Sequence, residues 1–82
     1  MRFLLEGELT SPPEGISQKK IALPHEEFEA VNEAEAERSA ERRADELFLH
    51  YKAIFVKFRM GIRVKRGGTN GPIIACFART EE

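Results

Sequence analysis

Apolar and polar positions alternate at both ends of the chain and recur at helical spacing in its middle. In residues 2–9, Phe3, Leu5 and Leu9 share one face while Arg2, Glu6 and Glu8 share the other, which predicts a half-buried strand with Gly7 as a bulge. Residues 10–24 break this rhythm with Thr10-Ser11-Pro12-Pro13-Glu14-Gly15 and read as a loop, in which Ile16, Ile21 and Leu23 pack on the core. Pro24 suits a helix start because its missing N–H costs nothing in the first turn, and Glu26, Glu27 and Glu29 suit the positive end of a helix dipole. Leu23 and Phe28 stand at hydrophobic-staple spacing around that start. From 25 to 51 the chain is rich in Ala, Glu, Arg and Leu with no Gly and no further Pro, so one long helix is predicted there.

Taking 100° per residue, Ala36, Ala40, Ala44, Leu47 and Tyr51 form one apolar stripe. Phe28 and Val31 point more than a right angle away from it. The C-terminal half of the helix is therefore expected on a sheet, with the N-terminal half overhanging or packed on the 10–24 loop.

Beyond the helix, Ile54, Val56, Phe58, Met60, Ile62 and Val64 alternate with Phe55, Lys57, Arg59, Gly61, Arg63 and Lys65. A helical stripe through Tyr51, Ile54, Phe55 and Phe58 also fits, but the long alternation of β-branched and aromatic residues favours a strand over 53–66. Gly67-Gly68-Thr69-Asn70-Gly71 predicts a hairpin loop, and residues 73–79 a returning strand. The expected fold is α+β, ordered β-α-β-β, with one long helix on a small three-stranded antiparallel sheet.

Composition narrows this picture to one domain over residues 1–82, since 82 residues and 41% hydrophobic content support a single small core. A strand starting at Arg2 is what a complete small gene product would show. No apolar run approaches a signal peptide or the roughly 20 residues of a membrane span, and Cys76 is the only cysteine. The expected location is cytoplasmic, with no membrane partner.

Charge changes the picture more. The formal net charge of −1 is the sum of −6 over residues 1–46, +7 over 47–80 and −2 from Glu81 and Glu82. Glu29, Glu33, Glu37, Glu41 and Asp45 fall at every fourth position, which on a helix makes one acidic ridge rising about 6 Å per four-residue step. Like charges so spaced each cost a helix roughly 0.2–0.5 kcal/mol, and Arg38, Arg42 and Arg43 relieve the ridge only in part. Such a run is commonly a solvated face, or pairs with basic residues of its own chain or of a second protomer. Its step is also close to the phosphate spacing of a nucleic-acid strand, which suits a basic groove on a nucleic-acid-handling protein.

In size and charge segregation the chain resembles small phage-encoded inhibitors of host defence, such as anti-restriction and anti-CRISPR proteins; no sequence motif enters this likeness. It implies a non-enzymatic inhibitor or regulator that binds a protein partner through the acidic ridge, by phosphate mimicry. A homodimer is compatible with the small core.

The alternative partner is nucleic acid. Lys57, Arg59, Arg63 and Lys65, with Arg66 beyond them, line one parity of the predicted strand together with Phe55, so phosphates and a stacked base are the expected ligands. Phe55-Val56-Lys57-Phe58 matches the second half of the RNA-recognition-motif strand signature, but Tyr51-Lys52-Ala53-Ile54 breaks the first half. Glu6 and Glu8 are positioned to neutralise this face from the first strand.

A small ribonuclease toxin using Arg, Lys and Tyr51 is a second alternative. Catalytic and metal residues are otherwise expected to be none. Cys76 reads as a small core residue, and His25/Glu29 and Glu46/His50 as helical i, i+4 neighbours. No CxxC, HExxH or P-loop is present, and no cofactor is implied.

Overall fold

A computed structural model describes residues 1–12, 15 and 17–81. The elements are β1 (Arg2–Ser11), β2 (Lys19–Ala22), β3 (Glu26–Glu29), α1 (Glu33–Lys52), β4 (Phe58–Arg66) and β5 (Ile73–Glu81). The class is α+β as expected, but the antiparallel sheet has five strands rather than three. Its order is β2-β1-β4-β5, with β3 also paired to β1.

The two additional strands lie where a loop and a helical first turn were expected. Along one edge of β1, Glu8 faces Ala22 and Leu5 faces Glu26. The edge thus takes four steps where β1 takes three, and the extra residue falls around Pro24. Pro24 has no N–H to offer a ladder, and a bulge on an edge strand is where a proline is tolerated. The bulge also switches parity: Ile21 opposite Leu9 and Phe28 opposite Phe3 both face the helix. Leu23 N–H donates to the Gly7 carbonyl at 2.9 Å, which ties the bulge down. Pro24 is therefore not a helix start, and Leu23 and Phe28 are not a staple. Ile21 is exposed rather than packed, and Ile16 lies outside the described residues.

The helix starts eight residues later than expected, at Asn32, whose side chain accepts from the Glu35 N–H at 2.8 Å. Asn32 and Glu35 stand at N-cap and N3, a strong start signal. Residues 26–29 stay extended because Phe28 is needed on the sheet, where its ring stacks on Phe3 at 5.7 Å. The apolar stripe is as expected: Ala36, Ala40, Ala44 and Leu47 are buried. Three alanines let the helix backbone lie close over Phe58, Met60, Ile62 and Val64, all fully buried with Phe3, Leu5 and Leu9.

Residues 53–57 belong to neither helix nor strand. Phe55 N–H still bonds the Tyr51 carbonyl at 2.8 Å, and β4 begins only at Phe58. Gly7 is no bulge, since β1 and β4 stay in register through Gly7 opposite Ile62. A Cβ there would collide with the Gly61 carbonyl and the Ile62 side chain, so this crossing requires glycine. Gly67, at φ +90°, opens the expected hairpin, and a bulge at Val64/Lys65 admits Ile74 into β5.

Candidate functional site

Two groups of charged side chains are the candidate sites, and the sheet separates them. One lies on the helix, the other on the sheet face turned away from the helix, here the open face.

Four members of the expected ridge, Glu33, Glu37, Glu41 and Asp45, are exposed on α1. Glu29 is not among them. It lies in β3 opposite Arg2, on the open face, because the helix has not yet begun. The ends of the shortened ridge are held by ion pairs: Glu33 with Arg66 at 3.0 Å and Asp45 with Arg79 at 3.0 Å. Between them Glu37 and Glu41 have no ion-pair partner among the described residues. Helical spacing places Glu37, Glu41, Asp45 and Lys52 on one flank, and Asp45 and Lys52 both pair into β5, with Arg79 and Glu81. The opposite flank faces β3, where Arg43 grips Glu26 with two hydrogen bonds of 2.9 Å and also reaches Glu46 at 3.3 Å. The Glu26 carboxylate beside it raises the Arg43 pKa against the opposing effect of partial burial. A groove of about 310 Å³ runs along this flank, lined by Phe28, Ser39, Ala40 and Arg42 among others.

On the open face, Glu6 is 7% exposed and collects three partners. Lys65 Nζ lies 2.8 Å away, Arg63 Nε 3.1 Å and His25 Nε2 3.7 Å. The Lys65 hydrogen bond, reinforced by Arg63, holds the Glu6 carboxyl below its ordinary range although burial opposes this. So Arg63 and Lys65, two of the expected phosphate ligands, are committed to Glu6, and Arg66 to Glu33. Phe55 is not on this face either. It packs beside Tyr51 and Phe58, at centroid distances of 6.4 and 6.2 Å, because the strand starts after it.

Lys57 and Arg59 remain, both exposed, and the fold adds two cations that the sequence reading left out. β2 brings Lys19 opposite Ser11 and Lys20 opposite Thr10, while Arg59 faces Thr10 from the other side. Ser11 Oγ donates to the Lys57 carbonyl at 2.7 Å. Lys20 and Arg59 therefore flank Thr10 on the open face, with Lys57 next along the chain, while Lys19, opposite Ser11, lies on the helix side; none of the four has an ion-pair partner among the described residues. A shallow 220 Å³ pocket there is lined by Glu8, Thr10, Gln18, Lys20, Arg59 and Gly61. The alternation Lys20, Ala22 against Ile21, Leu23 was the available signal that Lys19-Lys20 belongs to a strand.

The catalytic and metal candidates are not brought together. Cys76 is exposed on the open face of β5, not in the core, because it stands opposite Arg63 while its neighbours Ala75 and Phe77 turn to the core. His25 lies beyond β1 at the other edge, and His50 is on the helix against Tyr51, ring edge to face at 5.0 Å. His25 and Glu29 are not helical neighbours, since both precede α1. Among the described residues no group of three or more His, Cys, Asp or Glu is placed to hold a metal. None of their helices is long and apolar enough to cross a membrane. Comparison with protein-family models, with curated proteins and with solved structures finds no match to this chain.

Proposed function

We propose that this chain is a non-enzymatic interaction protein that binds a basic surface of another protein through the acidic flank of α1. The observation that carries the reading is the pair Glu37 and Glu41. They occupy successive turns, unpaired and exposed, while the acids before and after them are tied to arginines. Two adjacent like charges weaken a helix, and Asn32, the alanine stripe and the flanking ion pairs offset that cost. Glu33 to Asp45 still steps at about 6 Å from one acid to the next, so the partner we favour is a protein whose groove ordinarily takes nucleic-acid phosphates, and the chain would act as its inhibitor or regulator.

The test is capture of partners by the wild type and by a Glu37→Lys/Glu41→Lys double variant, with duplex DNA as competitor. Partners lost in the variant and displaced by DNA support the reading. Partners retained equally by both proteins would sink it.

A second reading, nucleic-acid binding, is favoured by the grouping of Lys20, Lys57 and Arg59 at one end of β1. Three phosphate contacts predict an affinity falling by roughly 2–3 decades per decade of salt. A filter-binding titration at two salt concentrations measures this, and Lys20→Glu/Arg59→Glu should remove most of it. No retention of RNA or DNA at low salt would dismiss this reading.

A further inference from the structure

The strand order leaves the outer edge of β5 without a partner among the described residues. The direction of its backbone groups follows from bonds elsewhere in the sheet. Gly7 accepts from Leu23 on the β2/β3 side, while Arg2 accepts from Gly67 on the β4 side. Odd residues of β1 thus direct their backbone groups away from β4, and even residues towards it. Carried across the register, Phe77 and Arg79 bond to β4, and the N–H and C=O groups of Cys76, Ala78 and Thr80 point outward, where the Ala78 carbonyl accepts from Arg79 Nη1 at 2.9 Å and the Ala78 N–H is left for a partner. From Ile73 to Ala78 there is neither a charge nor a proline, the usual means of blunting an edge.

The helix lies in the same sense as β5. Glu33 pairs beside the start of that strand, Asp45 with Arg79 further along it, and Lys52 with Glu81 at its end. Glu37 and Glu41 therefore overhang the first two-thirds of the unpaired edge. A segment added to β5 would direct every second side chain to the helix side, beneath those two carboxylates.

We propose that the β5 edge receives an extended segment of a partner protein carrying Lys or Arg at alternate positions. Backbone bonds to Cys76, Thr80 and the Ala78 N–H hold the segment, and Glu37 and Glu41 select its basic side chains. This rests on the reading of the helix flank as the partner-binding surface. A second copy of the chain fits less well, because pairing β5 with itself brings the unpaired glutamates of two helices together.

The probe is a labelled eight-residue peptide alternating lysine and valine, with a glutamate-for-lysine peptide as control. Hydrogen exchange of the Cys76, Ala78 and Thr80 amides should slow at least about tenfold on saturation, with Phe77 and Arg79 unchanged. Glu37→Gln/Glu41→Gln should weaken the peptide by about three- to tenfold. Ala78→Pro, which removes an outward donor without touching the β4 ladder, should weaken it at least about tenfold. If Ala78→Pro disturbs the fold, exchange in the wild type carries the test alone. Peptide bound with these amides unprotected, equal binding of the acidic control, or edge amides protected by self-association without peptide would each overturn the proposal. Unprotected amides together with partner loss on charge reversal would reject strand addition and leave the acidic-flank reading standing. Capture undiminished by charge reversal would reject that reading itself.

Discussion

The two edges of the sheet are built in opposite ways, one broken and charged, the other regular and unpaired among the described residues. At β2 and β3 the edge is broken by the bulge at Pro24 and carries Lys19, Lys20, Glu26, Glu27 and Glu29, so no long row of free backbone groups survives. At β5 the edge stays regular beyond its bulge and uncharged from Ile73 to Ala78, and only the helix flank overhangs it. Charges and breaks at one edge act as general protection against pairing. Their absence at the other is what an edge kept for pairing requires. The difference teaches where to look for a partner in a protein whose overall charge is close to neutral.

Leu23→Ala is the strongest way to break the comparison. Leu23 is 4% exposed and anchors the bulge to Gly7, so its truncation should cost about 2–4 kcal/mol in denaturant unfolding and loosen β2 and β3. Loosened amides at Lys19 and Ile21 with β5 unaffected would show that the edges are separately maintained. Glu6→Gln comes next. It strands Lys65 and Arg63 between β1 and β4, and about 1–3 kcal/mol should be lost at neutral pH.

The same variant sets the pH dependence. Glu6 titrates below its ordinary range when folded, so its contribution is complete above that range and fades as pH falls through the lowered value. Wild-type stability should drop over that acid interval, and the Gln variant should lose this part of the slope. A matching slope in both proteins would refute the assignment.

Smaller effects sharpen the contrast. Arg43→Ala releases the helix from Glu26 at the broken edge, and Arg79→Ala releases it from Asp45 at the open one. Each should cost about 0.2–1 kcal/mol, because both pairs are partly solvated, with the two-bonded Arg43 at the upper end. Ala78→Lys should change stability by less than about 0.5 kcal/mol. A clear gain in solubility from this one charge would mark β5 as the edge through which chains associate.

Much of this was legible in the sequence. The alternation over Phe58–Val64 and the Ala36–Leu47 stripe are long and regular, and both elements formed with the predicted faces inward. The misplaced helix start had a visible warning: Phe28 and Val31 do not share the stripe, and Asn32 with Glu35 marks a better beginning. Residues 19–29 were not legible, because one inserted residue at a proline shifts the alternation by a half period and each fragment is only four residues long. The candidate sites fared likewise. A spacing of four found Glu33, Glu37, Glu41 and Asp45, but no local pattern shows that Glu6 takes up Lys65 and Arg63, or that Lys20 meets Arg59 across Thr10.

The place of β1 also bears on how the chain folds. It precedes the other five elements yet ends between two neighbours, and its β4 partners lie about fifty to sixty residues downstream. During synthesis β1 can pair early only with β2 and β3, so its other side waits, unsatisfied, until the helix and β4 follow. Closing so long a loop is slow, and the rate-limiting event on folding should be the arrival of β4 beside a meander already in place.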